Sequence, residues 1–214
     1  MRNWIKNLLK KCRKKAREPL PKQKEECYLY YVMASEICSY IRRIHAISLK
    51  KLHVVVIEGS FLGTQLVIEK IYPTLNYLTI VTGNKESYED IEEKIAYETG
   101  LAIGYLEEIP TNADFIIDLS EHLPDNQAIK KKGVVYLDFY QQKEKTNSIL
   151  GKNPDLHYYN QIWFSYDRIY AEGYQMQKRI WKEQTEELLR FGDGEIPEDL
   201  KGRIFIEKIG IILT

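Results

Sequence analysis

The amino-acid sequence predicts an α/β protein built on a doubly wound, mostly parallel β-sheet, with an N-terminal helical extension and an α+β C-terminal tail. Three observations lead to this prediction: five short β-branched segments, helical segments that alternate with them, and a glycine-containing turn directly after the first strand. Residues 54–57 and 115–117 are apolar at every position, which is typical of strands buried on both faces of a parallel sheet. Because helices separate the strands, right-handed crossovers and a wound sheet are expected.

The strands and helices of this sheet can be placed along the middle of the chain. Strands are predicted at residues 52–58, 77–82, 102–106, 114–119 and 133–139. Helices are predicted at residues 62–72 and 88–99, with a short one near residues 127–131. The Val-Val-Val-Ile run makes the first strand the most apolar, so we expect it at the centre of the sheet, with its glycine corner opening onto a crevice.

The flanking segments complete the predicted organisation. A helix over residues 24–48 carries one apolar stripe and is expected to pack on the sheet. After the sheet, residues 170–191 have helical periodicity and residues 203–213 have a strand pattern, and this tail either completes the sheet, with antiparallel pairing at its edge, or caps it. The predicted units are a helical extension of residues 1–50 and an α/β unit of residues 51–214, with a core at 52–140 and a C-terminal completion at 141–214.

The composition is that of a soluble globular protein. Hydrophobic residues make up 44% and charged residues 29% of a 214-residue chain, which is long enough to bury a core. No apolar stretch approaches the roughly 20 residues that span a bilayer, so a cytoplasmic protein is expected. The three cysteines form no CxxC pair and the four histidines have no HxxxH spacing, so neither a disulfide framework nor a metal site is predicted.

The net charge of zero conceals a strongly basic N-terminus. Residues 1–24 hold ten Lys and Arg residues against the single acid Glu18, and Trp4, Leu8 and Cys12 recur at helical spacing. An amphipathic cationic helix of this kind docks on the acidic remainder of its own chain or on a second copy, lies on an anionic membrane, or holds a nucleic acid. Docking within the protein or in a homo-oligomer is favoured, peripheral membrane contact is the next alternative, and nucleic acid is disfavoured because the apolar stripe is broad.

The turn after the first strand is the main candidate for a phosphate-binding loop. It consists of Gly59, Ser60, Phe61, Leu62 and Gly63, a GxxxG pattern in place of the GxGxxG fingerprint of dinucleotide-binding domains. The first glycine permits a tight turn and the last permits close packing, but Phe61 occupies a place where the fingerprint needs backbone without a side chain. The loop therefore either contacts a phosphate or needs its glycines for geometry alone.

The second strand ends without the acidic residue that holds the ribose hydroxyls of NAD. It ends instead in Thr82, Gly83, Asn84 and Lys85. The lysine charge and the threonine and asparagine hydrogen bonds would suit the 2′-phosphate of NADP. The alternative is a simple Gly-Asn turn followed by the solvated start of a helix.

These segments together resemble a known family pattern. The order of residues 54–59, 79–85, 112–120 and 132–138 is similar to the NAD(P)-binding Rossmann domain of the shikimate dehydrogenase and glutamyl-tRNA reductase type, over roughly two fifths of the chain. The resemblance implies a Rossmann-like sheet, NADP or NAD as cofactor, and a loop at Leu119 and Ser120 that faces the nicotinamide. Both families carry their catalytic residues in an N-terminal substrate domain, and no lysine–aspartate pair or cysteine nucleophile can be matched to it here.

His122 is the candidate catalytic residue, since it follows Ser120 at the carboxyl end of a strand, where ligands of open α/β sheets bind. A histidine can carry a proton near neutral pH, and Asp118 could orient a group beside it. The alternative is an ordinary loop histidine. Further along, the aromatic segment of residues 158–166 either forms a stacking surface for a ligand or packs between the sheet and a helix.

The sequence as a whole predicts a Rossmann-like protein that binds NADP, NAD or another nucleotide weakly, as a sensor or scaffold without demonstrated catalysis. The alternative is a small NADP-dependent oxidoreductase whose pocket is completed by the aromatic segment or by a partner subunit. A methyltransferase is disfavoured, because the GxGxG turn and the acidic residue after the second strand are both missing.

Overall fold

The computed structural model describes residues 28–122, 129–183 and 203–211, and within them the chain forms one parallel and one antiparallel sheet. The parallel sheet has six strands in the order β3-β2-β1-β4-β5-β6. Its strands are β1 (His53–Ile57), β2 (Tyr77–Val81), β3 (Ile103–Leu106), β4 (Phe115–Asp118), β5 (Val135–Asp138) and β6 (His157–Tyr159). The five predicted strands are confirmed to within two residues at either end, and the α/β, Rossmann-like fold class is confirmed by the strand order.

The first strand lies at the centre of the sheet, as its apolar run predicts. β1 pairs with β2 on one side and with β4 on the other, so that Val56 lies between Ile80 and Ile117. The chain therefore reverses its direction of strand addition between β1 and β4, which is the topological switch point of a wound sheet.

Six α-helices accompany the sheets in the described part of the chain, together with three short 3₁₀ helices at Leu49–Lys51, Tyr72–Thr74 and Lys85–Tyr88. The α-helices are α1 (Tyr28–Val32), α2 (Ala34–Ile44), α3 (Phe61–Ile71), α4 (Glu89–Thr99), α5 (Lys143–Lys152) and α6 (Gly173–Glu183). The prediction of one helix over residues 24–48 is wrong in its described part, because Met33 interrupts it with φ −94° and ψ 10°. The basic segment at the N-terminus lies outside the described residues, as do residues 127 and 128 of the short helix predicted near residues 127–131. Residues 129–131 are described and are not helical, so that prediction is wrong there.

Helices and strands share two hydrophobic cores, one on each face of the parallel sheet. On the first face α1, α2, α3 and α4 pack against Val54 and Val56. On the second face Val55 and Ile57 pack with Ile149 of α5. This division follows from the strand geometry, since alternate residues of β1 point to opposite faces and residues 54–57 are all apolar.

The link between β3 and β4 is unusually short for a crossover between parallel strands. Such crossovers normally take a dozen or more residues and contain a helix. Residues 107–114 make this connection without a helix, and Ile109 and Ala113 pack on the second face of the sheet. The second face of β3 is consequently left uncovered, and Gly104 and Leu106 are exposed there.

The C-terminal tail forms a separate antiparallel sheet in the order β8-β7-β9. Its strands are β7 (Gln161–Tyr166), β8 (Ile169–Glu172) and β9 (Ile204–Gly210). Ile162, Phe164 and Tyr166 are buried on one face of β7, so these members of the aromatic segment serve packing. The strand predicted at residues 203–213 is confirmed, whereas residues 170–172 belong to a strand and not to the predicted helix.

None of the helices in the described residues combines the length and the apolar character that crossing a membrane requires.

Candidate functional site

A crevice opens at the carboxyl ends of β1, β2 and β4, at the switch point of the sheet. Its volume is about 250 Å³. It is lined by Ile57, Glu58, Val81, Thr82, Gly83, Glu107, Ser120 and His122. Open α/β sheets bind their ligands at this place. The crevice thus brings together Thr82 and Gly83 with Ser120 and His122, from two separate segments of the predicted site, whereas none of the residues 59–63 lines it.

Glu58 is the polar centre of the crevice. It directly follows β1, and one oxygen of its carboxylate accepts a hydrogen bond of 2.6 Å from the Tyr88 hydroxyl. The other oxygen accepts a hydrogen bond from the Thr82 hydroxyl, which in turn accepts the Asn84 N–H at 2.9 Å. Burial, together with the Glu58 carboxylate, raises the pKa of Tyr88, so the tyrosine remains a hydrogen-bond donor at neutral pH.

The lining of the crevice is acidic. Among the described residues that line it, the ionisable side chains are the carboxylates of Glu58 and Glu107 and the imidazole of His122, and none is a lysine or an arginine. Lys85, which the sequence offers as a partner for a 2′-phosphate, is exposed and its Nζ lies 5.2 Å from the centre of the Tyr105 ring. The crevice therefore favours neutral, hydroxyl-rich or cationic ligand groups over phosphates.

The glycines of the turn after β1 are explained by close packing. A Cβ at Gly59 would overlap the carbonyl oxygen of Leu119, which lies in the loop after β4. A Cβ at Gly63 would come within 2.7 Å of the Tyr31 ring of α1. Both glycines thus allow neighbouring segments to approach the start of α3.

The remaining residues of that turn form the start of α3. Ser60 precedes the helix, and its hydroxyl accepts a hydrogen bond of 3.3 Å from the Gly63 N–H, as an N-cap does. Phe61 is 41% exposed and its ring packs against Tyr88 at 5.4 Å between centroids. Leu62 packs partly buried against the first core.

The loop after β4 rests on a buried ionic network that sequence reasoning missed. Lys145 of α5 lies 2.9 Å from a carboxylate oxygen of Asp118 and 3.0 Å from one of Asp138. It also donates a hydrogen bond of 2.6 Å to the Ser120 carbonyl. The three charged side chains are at most 2% exposed. Lys145 thereby holds the Ser120 loop at the wall of the crevice.

Two tyrosines complete this network. The Tyr158 hydroxyl donates to Asp138 at 2.6 Å, and the Tyr136 hydroxyl donates to Asp118. Burial lowers the tendency of Lys145 to ionise, but the two neighbouring carboxylates outweigh burial and raise its pKa. Burial raises the pKa of Asp138, although Lys145 opposes this effect. The network carries two carboxylates and one ammonium, and its groups are closed off from the crevice.

His122, the candidate catalytic residue, is exposed at the edge of the crevice. Its carbonyl oxygen lies 2.7 Å from the Ser120 hydroxyl, which also lies 2.6 Å from Asp118. Asp118 therefore orients Ser120 and not the His122 imidazole. Among residues 28–122, 129–183 and 203–211, no three His, Cys, Asp or Glu side chains are grouped to hold a metal ion.

Two signals in the sequence could have identified the missed residues. Counting back from Gly63, the GxGxxG spacing requires glycines at positions 58 and 60, where the chain has Glu58 and Ser60. This register places a carboxylate at the turn. For the buried network, β4 and β5 both end in aspartate, and Asp118 and Asp138 are paired in the sheet. Two adjacent buried carboxylates require a cation, although the sequence does not indicate which one.

Similarity to known proteins is found among solved structures. No protein-family model matches the chain, and no curated protein matches it. The chain is similar to a quinate dehydrogenase from Corynebacterium glutamicum in complex with NAD, at 12% identity and a TM-score of 0.44, over 84% of this chain and 61% of that one. It is similar to a shikimate dehydrogenase in complex with NADP⁺, at 15% identity and a TM-score of 0.41, over 58% and 50% of the two chains.

A third similar structure is the ligand-free 5-ketofructose reductase of Gluconobacter sp. strain CHM43. Its identity to this chain is 17% and its TM-score is 0.37, over 49% of this chain and 43% of that one. The chain spans less than two thirds of the length of each of the three proteins. The three proteins are two dehydrogenases and a reductase, the kind of protein that the sequence pattern also resembles.

Proposed function

We propose that this protein is a nucleotide-binding sensor or scaffold whose crevice holds the ribose of a nucleotide with free hydroxyl groups, such as NAD. The observation that supports this proposal is the Glu58 carboxylate at the end of β1, fixed by two hydroxyl donors in a crevice whose described lining residues include no lysine or arginine. Strand order and crevice position supply the site, and Glu58 supplies its selectivity.

A carboxylate suits the hydroxyls of a ribose. Its two oxygens offer about four lone-pair sites in total. Tyr88 and Thr82 each use one of them, so two remain for the 2′- and 3′-hydroxyls. A 2′-phosphate would instead bring its negative charge close to Glu58 and Glu107, and like charges about 4 Å apart repel by ~1 kcal/mol in bulk water and by ~4 kcal/mol near a protein surface. NAD is therefore expected to bind more tightly than NADP.

The aromatic side chains beside Glu58 provide a surface for the base. The Phe61 ring is partly exposed and packs on Tyr88, whose hydroxyl bonds Glu58. A purine can stack on such a ring while its ribose reaches the carboxylate. The crevice is smaller than the roughly 300 to 1,000 Å³ of typical ligand pockets, so most of a dinucleotide stays outside it. Weak binding follows from this partial enclosure.

The proposal is tested by calorimetric titration of the full chain with NAD, NADP, adenosine and S-adenosylmethionine. NAD and adenosine should bind, and NADP should bind at least about threefold more weakly than NAD. Glu58→Gln should weaken NAD binding by about tenfold or more, because hydrogen bonds to a charged group are the stronger ones. The matched control Glu93→Gln changes an exposed carboxylate on α4 and should leave binding unchanged.

Two results would contradict the proposal. One is the absence of heat from all four compounds. The other is NAD binding that Glu58→Gln does not weaken while circular dichroism shows the variant folded.

Oxidoreductase activity is a second candidate, because His122 and Ser120 lie at the same crevice. In that case hydride transfer to or from a nicotinamide would be lost in His122→Ala, and cofactor binding would be retained. None of residues 158–166 lines the crevice, so completion of a substrate pocket would fall to a partner subunit. Nicotinamide absorbance at 340 nm, followed with small hydroxy acids as substrates, separates this candidate from binding alone.

A further inference from the structure

We propose that a second cleft, at the amino ends of the parallel strands, binds a small acidic molecule that carries a carboxylate or a phosphate. Its volume is about 740 Å³, within the range of small-molecule pockets. Among its lining residues are Lys51, His53, Tyr77, Asn112 and Lys131. It lies at the opposite end of the sheet from the nucleotide crevice and does not depend on the function proposed for that crevice.

The cleft exists because the β3–β4 link contains no helix. In a wound sheet a crossover helix normally covers this face. Here residues 107–114 cross the second face of the sheet as a segment without a helix. Asn112 and Asp114, near the end of this segment, form one wall of the cleft. Thr79 of β2 lies on the floor, and Gly104 of β3 has no side chain to cover it.

Hydrogen bonds link the side chains of His53, Thr79 and Asn112 across the floor of the cleft. His53 Nε2 lies 2.7 Å from the Thr79 hydroxyl, and His53 Nδ1 lies 3.2 Å from the side-chain oxygen of Asn112. Since the asparagine oxygen only accepts, Nδ1 carries the proton and Nε2 accepts from Thr79 in the neutral imidazole. Both nitrogens of His53 are thereby occupied, and the ring is held in one orientation.

The carboxylate of the cleft is also occupied. Asp114 accepts the backbone N–H of His53 at 2.9 Å and pairs with the Lys131 ammonium. Burial alone would raise the pKa of Asp114, but the His53 N–H and Lys131 together hold it below its ordinary value. Both oxygens of the Asp114 carboxylate are therefore paired within the protein.

Donors remain available to a ligand. Lys51 is exposed and has no ion-pair partner among the described residues. Lys131 bonds Asp114 and, at 3.5 Å, the Asn112 carbonyl oxygen, so one further N–H group remains. The Asn112 amide group supplies another donor. Tyr77, which is 60% exposed, provides an apolar wall. A site with two ammonium groups and one carboxylate, rich in donors and backed by an aromatic ring, suits an anion with several acceptor oxygens.

Calorimetric titration of the full chain tests this inference, with citrate and succinate as carboxylate probes, glucose 6-phosphate and inorganic phosphate as phosphate probes, and glucose as the neutral control. At least one acid should bind, more weakly at high salt, and glucose should not. The double variant Lys51→Gln/Lys131→Gln should weaken that binding by about tenfold or more. The matched control Lys132→Gln removes a neighbouring lysine that does not line the cleft and should bind as the native chain does.

A second measurement locates the ligand. The imidazole resonances of His53, assigned by comparison with His53→Gln, should shift when the acid binds and stay in place when NAD is added. The inference is overturned if no acid binds, if the double variant binds as tightly as the native chain, or if bound acid leaves the His53 resonances unmoved. None of these results depends on whether Glu58 contributes to nucleotide binding at the crevice.

Discussion

Replacement of Lys145 by methionine is the most direct test of the buried network behind the crevice. Methionine matches the length of the lysine stem, so Lys145→Met removes the charge with little change in volume. The ammonium lies 2.9 Å from Asp118 and 3.0 Å from Asp138, and none of the three side chains is more than 2% exposed. The variant leaves two buried carboxylates without a cation.

The expected loss of stability at pH 7 is large. Removing one partner of a buried ion pair costs about 3 to 5 kcal/mol, against a total of about 5 to 15 kcal/mol for a folded domain. Burial already raises the pKa of Asp138 above the ordinary 3.8, and Lys145 restrains that rise. When the pKa of a carboxyl group is higher in the folded than in the unfolded protein, the group stabilises the fold at pH values below its unfolded pKa. This stabilisation is lost as the pH rises through its folded pKa. The deficit of Lys145→Met should therefore grow between pH 4 and pH 7.

Urea unfolding followed by circular dichroism measures this loss at several pH values. Lys132→Met is the matched control, because Lys132 pairs with Asp155 at 3.4 Å with side chains that are 85% and 60% exposed. It should cost less than about 1 kcal/mol. The double variant Lys145→Met/Asp138→Asn should recover part of the loss. A deficit for Lys145→Met no greater than that of the control, or one that shrinks as pH rises, would refute the reasoning.

Three further changes have expected outcomes. Gly59→Ala should lower the free energy of unfolding by about 1 to 3 kcal/mol in thermal unfolding, because the added Cβ overlaps the Leu119 carbonyl. Gly83→Ala should not lower it, because no atom lies within 4 Å of a Cβ at that position. Equal effects of the two substitutions would contradict the packing argument. Ser60→Ala should cost about 1 kcal/mol in urea, since α3 loses its N-cap, and an unchanged midpoint would count against the cap. The pKa of Asp114 is lowered in the folded protein, so its carboxylate stabilises the fold above pH 3.8 and this stabilisation is lost as the pH falls further. Asp114→Asn should therefore make the Tm fall less steeply at acid pH than it does in the native chain. An equally steep fall of Tm in the variant and the native chain would contradict this.

The strands of the parallel sheet could be predicted because each is buried on both faces and consists of apolar, mostly β-branched residues. The β7–β8 hairpin could not. Its turn consists of Asp167 and Arg168, with φ of 48° and 67°. A two-residue turn with both φ values positive is normally announced by Asn-Gly or Asp-Gly, and neither dipeptide occurs here. Without that signal, the residues after the turn were joined to the helical pattern that begins at Gly173.

Of the candidate site, the sequence located the segments but not their chemistry. Thr82, Gly83, Ser120 and His122 meet at the crevice because parallel strands end at one edge of the sheet. The partner of the Thr82 hydroxyl is Glu58, which comes from another strand. Such a contact depends on strand order, and periodicity along one segment contains no information about strand order.

The short β3–β4 link accounts for the difference in chemistry between the two ends of the sheet. Glu107, at its start, adds a carboxylate to the crevice that already holds Glu58. Asp114, at its end, is neutralised by Lys131, so Lys51 makes the second cleft cationic. A crossover helix would cover the floor at Thr79, and the crevice alone would remain open. The same absence of a helix therefore leaves the sheet with an acidic recess at one end and a basic recess at the other.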